Sequence, residues 1–112
     1  MKAFHVSMLA LVLAFSLISV AAADVNPSVS YTAISADGAT VYFSYAGDVW
    51  AAPRDGAEPA RRLTDNVAYD GRPLPSPDGK WLAFLSDRFG NYDIFVMPAE
   101  GGDATRLTWD SG

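Results

Sequence analysis

At 112 residues the chain has room for one small domain, and half of its residues are apolar, enough to form a core. It holds no cysteine, which excludes disulfides and a lipidated cysteine after a leader, so stability has to come from packing. Its 13 acidic residues outnumber its 8 basic ones. That balance argues against nucleic acid or an anionic membrane surface as a partner.

Part of the apolar content sits at the N-terminus. Lys2 gives a basic start, and Val6 to Val20 is apolar apart from Ser7, Ser16 and Ser19. Ala21-Ala22-Ala23 then places small residues before Asp24. This is the pattern of a cleavable secretory signal peptide over residues 1–23, with cleavage after Ala23. The rival reading, an uncleaved anchor, fits less well because the run falls short of the roughly 20 residues of a membrane span. Removal takes away Lys2 and no acid, so the mature chain is more acidic still and is not expected to be membrane-embedded.

Beyond the leader the expected elements are all strands. Asp24 to Ser28 is an entry segment, and Val29–Ile34 is the first strand. Ala36-Asp37-Gly38 turns the chain, with Gly38 free to take positive φ. Thr40–Tyr45 follows, with Val41 and Phe43 on one face. Ala46-Gly47 makes a tight turn into Asp48–Ala52, which Pro53 ends because proline cannot donate to a ladder. After a loop from Arg54 to Pro59 comes a short strand, Ala60–Thr64. Asp65 to Gly71 is a crossover, and Arg72–Pro75 is a strand able to pair on one side only, given Pro73 and Pro75. Trp81–Ser86, a polar loop Asp87–Tyr92, Asp93–Met97, a turn-rich loop and Ala104–Thr108 complete the series.

The series repeats. Ser35-Ala36-Asp37-Gly38 matches Ser76-Pro77-Asp78-Gly79, and Phe43 matches Phe84. Asp48-Val49-Trp50 matches Asp93-Ile94-Phe95, and Arg62-Leu63-Thr64 matches Arg106-Leu107-Thr108. The offset is 41 at the first motif, 45 at the middle and 44 at the end, drifting only inside loops. A period of this size made of strands marks propeller blades. The reading is therefore all-β: two four-stranded antiparallel meanders, with residues 24–112 a partial β-propeller. Blade one spans about 29–65, blade two about 70–108, and 109–112 starts a third unit. Rings take about four to eight blades, so the chain reads as the N-terminal piece of a longer protein. Two outward sheet faces should then lack their neighbouring blade.

The repeat resembles the blades of the tricorn protease and of periplasmic TolB. The carrying residues are Ser76 to Gly79, Ser86 to Arg88, Asp93 to Met97, Gly101-Gly102 and Arg106 to Thr108. Ala36, where the motif has proline, and Pro75, where an aromatic is usual, are the departures. A leader followed almost at once by the first blade is similar to the start of exported tricorn-type serine peptidases. TolB-like proteins place another small domain there. The resemblance implies a propeller that gates or filters peptide substrates for a catalytic domain elsewhere. The alternative it implies is a TolB-like module that binds envelope proteins in the periplasm.

No catalytic, cofactor-binding or metal residue is assigned, and no cofactor is expected. The single histidine, His5, lies inside the leader. A Ser-His-Asp triad, a cysteine nucleophile or an ordinary zinc site therefore cannot be built from the mature segment alone. Lys80 stands in a turn, where solvation disfavours a Ser-Lys dyad with Ser76 or Ser86. Asp87, Asn91 and Asp93 are spaced loosely like calcium ligands but lack the further acids such a loop needs. Asp37 and Asp78 are expected to bond their own turn backbone, and Asp48 and Asp93 to cap turns. Trp50, Trp81, Phe84 and Phe95 are expected to pack between blades, with a peptide-binding aromatic platform as the alternative. Arg62 and Arg106 are expected to be solvated near the rim. On export by a Gram-negative host, N-terminal sequencing of the product should read Asp24-Val25-Asn26. A membrane-extracted product starting at Met1 would instead make residues 6–20 an anchor.

Overall fold

The computed structural model describes residues 28–109. The expected leader over 1–23 and most of the expected third unit lie outside the described residues. Within them the chain forms eight strands and no helix. These are β1 Ser30–Ile34, β2 Thr40–Tyr45, β3 Asp48–Pro53, β4 Arg61–Arg62, β5 Asp70–Pro75, β6 Trp81–Phe89, β7 Asn91–Pro98 and β8 Thr105–Arg106. They make two antiparallel four-stranded sheets in simple meander order, β1-β2-β3-β4 and β5-β6-β7-β8. β5 lies beside β1, β2 and β3 of the first sheet. The sheets thus converge along their first strands, as blades do around a central channel.

The turns between first and second strands are the same in both sheets. In one, Ser35 Oγ donates to Asp37 Oδ1 at 2.6 Å, and that carboxylate accepts from Ala39 N at 3.0 Å. In the other, Ser76 Oγ donates to Asp78 Oδ1 at 2.6 Å, and Lys80 N donates to it at 3.0 Å. Gly38 and Gly79 take φ of 74° and 76°, the left-handed region that only glycine enters without strain. The expectation that Asp37 and Asp78 bind their own turns is met.

The expected polar loop from Asp87 to Tyr92 is instead the tip of a long hairpin. β6 continues to Phe89, which pairs with Asn91 around Gly90. A bulge between Ser86 and Phe89 absorbs the extra residues that shift the repeat offset here. The fourth strands are shorter than expected, two residues each, but the ladder persists beyond them. Leu63 N donates to Val49 O at 2.7 Å, and Leu107 N to Ile94 O at 2.8 Å. Pro73 and Pro75 sit in β5, which pairs only with β6, as two prolines require.

Side chains hold these short outer strands in place. Asp93, the third residue of β7, is its first buried one, and Arg106 Nη2 donates to its Oδ2 at 2.7 Å. Thr108 Oγ1 donates to Asp93 Oδ1 at 2.9 Å while accepting from Ile94 N at 2.9 Å. Blade one repeats the arrangement more loosely: Thr64 Oγ1 reaches Asp48 at 3.4 Å, and Arg62 stands 3.8 Å from it. Asp48 and Asp93 therefore tie strand three to strand four rather than cap turns. Arg106, expected in solvent, is mostly buried, because Asp93 is only 1% exposed and needs a cation beside it. Arg62 remains about half exposed, nearer to the expectation.

The core lies between the sheets. Tyr42, Val49 and Ala51 of blade one meet Leu82, Phe84, Phe95 and Met97 of blade two. Phe84 and Phe95 thus pack between blades as expected. Trp50 and Trp81 project to the opposite faces by strand alternation: Trp50 donates to Tyr45 O at 3.2 Å, and Trp81 is about half exposed. Polar ties close the seam, with Arg72 N donating to Ser44 Oγ at 3.0 Å and Arg61 Nη1 to Glu100 O at 2.7 Å. Truncating Arg106 to alanine should cost about 3 kcal/mol, because it strands a buried carboxylate. Arg62→Ala should cost less than about 1 kcal/mol. Urea unfolding of the two variants checks the ranking, and equal losses would contradict it.

Candidate functional site

The inner edge is the surface that a ring of such sheets turns toward its channel. Both first strands carry a bulge at the same repeat position, between Ser30 and Ala33 in β1 and between Gly71 and Leu74 in β5. Each bulge holds a non-glycine residue at φ 52°, Tyr31 and Arg72. This conformation is uncommon for such side chains. The Arg72 guanidinium lies 4.4 Å from the Tyr31 ring centroid, and its Nη2 donates to the Tyr31 hydroxyl at 3.1 Å. The pair joins the two blades at the channel edge and stays exposed. Behind it, Tyr69 packs edge-on to Tyr92 at 5.9 Å, and the absent side chain at Gly71 leaves room for the Tyr69 ring. Burial pushes the Tyr69 hydroxyl above its usual pKa.

A second feature is an open cleft of about 230 Å³ where the two Ser-x-Asp-Gly turns stand side by side. Tyr42 and Ala99 line it together with Asp37, Asp78 and Glu100. The serine hydroxyls beside Asp37 and Asp78, then the backbone amides of Ala39 and Lys80, hold both carboxyls below their ordinary pKa. They stay ionised and act as hydrogen-bond acceptors for the turns.

Further along the blade, the extended hairpin builds a cationic bridge. Arg88 Nη2 lies 3.1 Å from Asp70 Oδ1, and its guanidinium sits 4.5 Å from the Phe95 ring centroid. Asp70 is fully buried and also accepts from Asn66 Nδ2 at 2.8 Å. At Asp48 burial raises the carboxyl pKa, opposed by Arg62.

The residues weighed from sequence are dispersed. Asp87 accepts from Tyr69 N at 2.9 Å, Asp93 turns inward to Arg106, and Asn91 is exposed at the hairpin tip. Among the described residues no group of three or more His, Cys, Asp or Glu could hold a metal ion. Ser76 Oγ is committed to Asp78, and the buried Ser86 Oγ accepts from Arg88 Nε at 3.0 Å. Trp50, Trp81, Phe84 and Phe95 do not form one platform, since the first two project away from the faces that carry the last two across the seam. The Tyr31–Arg72 pair was not singled out from sequence. Its signal was available, because the two residues are separated by the same 41 positions as Ser35 and Ser76.

Two meanders converging on their first strands, with a shared core, are blades of a β-propeller. Residues 28–112 match the family model described as the Tricorn protease N-terminal beta propeller domain, and the chain belongs to that family. Tricorn protease homolog 1 of Streptomyces coelicolor is 45% identical over 75 residues, which is 66% of this chain and 7% of that protein. Putative tricorn protease homolog 2 of the same organism is 38% identical over 61 residues, 54% of this chain and 5% of that protein. A solved structure of putative TolB from Agrobacterium tumefaciens aligns with TM-score 0.63 and 27% identity, covering 71% of this chain and 33% of that one. The chain thus spans under a tenth of the length of these curated relatives.

The turn carboxylates set a pH dependence. Their folded pKa lies below the ordinary 3.8, so the stability they contribute is complete above that value. It is lost as pH falls from 3.8 through the lower folded values. The wild-type advantage in melting temperature over the double variant Asp37→Asn, Asp78→Asn should therefore hold at pH 6 and shrink below about pH 4. A gap that widens toward acid would contradict it.

Proposed function

We propose that this chain is the non-catalytic opening part of the propeller of an exported tricorn-type serine peptidase. In this reading the complete propeller filters peptide substrates on their way to a catalytic domain elsewhere in the polypeptide. The observation that carries it is the family match over residues 28–112, joined to two curated tricorn homologues among its relatives. The composition fits a supporting role. The only histidine is His5 and there is no cysteine, so residues 24–112 bring neither a triad nor a thiol nucleophile. The Tyr31–Arg72 edge offers a cation and a ring to a passing peptide without chemistry of its own. Export to the periplasm or beyond rests on the apolar leader with its alanine exit.

The structural likeness to putative TolB favours a second reading, a periplasmic propeller that binds envelope proteins. The two separate on the parent polypeptide. A tricorn-type parent should take a fluorophosphonate probe at a serine, cleave short peptides and spare folded proteins. A parent that takes no probe overturns the peptidase reading. Residues 24–112 alone should show no peptidase activity on the same peptides. Cleavage by that segment, abolished by a serine-directed inhibitor, would contradict its non-catalytic assignment.

A further inference from the structure

The inner edge carries a cation whose hydrogen-bonding capacity the protein does not use up. β1 and β5 expose Tyr31, Thr32, Ile34, Arg72 and Leu74, and of these only Arg72 is charged. Asp70, the other charged residue of the two strands, is fully buried against Arg88. Arg62, Arg88 and Arg106 each stand beside an aspartate. Among the described residues no carboxylate stands so near Arg72, which is held by a phenol instead.

That partner decides what the edge can take. Arg72 Nη2 donates to the Tyr31 hydroxyl at 3.1 Å. A hydroxyl that accepts keeps its own O–H to donate, and a guanidinium has several N–H groups and no acceptor. The pair therefore presents donors only, around a positive charge. A carboxylate is the group such a site takes, because its two acceptor oxygens match the guanidinium fork. The Tyr31 ring, 4.4 Å from the guanidinium, holds the cation in place without neutralising it. Both residues have φ of 52°, uncommon for such side chains. Backbone strain at two residues that meet across a seam is the kind that functional sites retain.

We infer that Tyr31 and Arg72 form a site for the acidic side chains of extended peptides passing through the channel. Both lie within their strands, on the channel wall and not at the turns that follow them. A peptide moving lengthwise keeps its side chains against such a wall and brings its C-terminus there only in passing. The chain as a whole is acidic, with 13 acids against 8 bases, so an exposed cation on the wall marks a point where its field favours an anion. This inference rests on the reading that the complete propeller filters peptides, and it names what the filter selects.

The test is equilibrium binding of fluorescent peptides to the parent polypeptide, read by anisotropy. The peptides are N-acetylated and C-amidated, one with an internal glutamate and its twin with glutamine at the same position. The glutamate peptide should bind about two- to five-fold more tightly, the range of an exposed ion pair. The preference should fade as salt rises and below about pH 4, where glutamate is protonated. Arg72→Asn, whose new side chain tolerates the same backbone conformation, should abolish the preference. Arg72→Glu should invert it, and an inversion requires a folded channel. Equal binding of the twins by the unchanged protein overturns the inference, as does a preference that survives Arg72→Asn. A glutamine peptide that matches the glutamate one once its C-terminal carboxylate is freed would assign the site to chain ends and overturn it too. Fluorophosphonate labelling of the same samples keeps the two readings apart. Labelling without a glutamate preference sinks this inference alone, and a glutamate preference without labelling sinks the peptidase reading alone.

Discussion

A carboxylate buried near the start of the third strand governs the blade. Asp93 is almost wholly removed from water, and an ionised group there is tolerated only with a partner. Arg106 and Thr108 provide it, and both come from the outermost segment. That segment pairs by only two residues, Phe95 with Arg106 and Val96 with Thr105. So short a ladder is too weak to define a strand without help. The cost of burying Asp93 and the weakness of the last strand are resolved by the same contact. The Arg-Leu-Thr triplet follows from this need. Arginine supplies the charge, and threonine caps Ile94 N while donating to the acid. The leucine between them donates its backbone N–H to Ile94 O.

Packing between blades then does what one sheet cannot. A four-stranded meander has two faces, and the apolar side chains on each must find cover. Leu82 and Phe84 are essentially fully buried, each worth about 2 to 3 kcal/mol on removal from water. They achieve this only because Tyr42, Val49 and Ala51 stand opposite. Stability in such arrays comes largely from neighbour interfaces, so a blade's own strands and its seam are separate requirements. The Asp-Arg-Thr tie meets the first and the aromatic and aliphatic cluster meets the second.

The strand order and the turn chemistry were legible because they depend on local signals. Gly38 and Gly79 mark positive φ, the serine and aspartate before them have a backbone to bind, and period-2 alternation marks the faces. The ion pairs were not legible. Arg106 follows Asp93 by 13 residues, and nothing local says that a two-residue strand will fold the guanidinium inward over the acid. Read alone, each charge looks like a surface group, and only the repeat of both together hints at a pair. The hairpin from Ser86 to Asp93 failed for a related reason. Its polar residues suggested a loop, yet their backbone pairs, and a bulge hides the break in alternation. The Tyr31–Arg72 edge needs two bulges and a cross-blade contact, which no single stretch of sequence contains.

The same comparison separates what the fold fixes from what it leaves free. The Ser-x-Asp-Gly turns and the acid-arginine ties recur in both blades and are made within each blade. The differences sit in the second hairpin and on the inner edge. Extra residues in blade two create the Arg88 bridge to Asp70, which blade one lacks, since its corresponding turn is only Ala46-Gly47. On the inner edge the equivalent bulges carry a tyrosine in one blade and an arginine in the other. A bulge holds the backbone in one conformation while leaving its side chain unspecified by packing. Each blade can therefore present a different residue to the channel without disturbing its core.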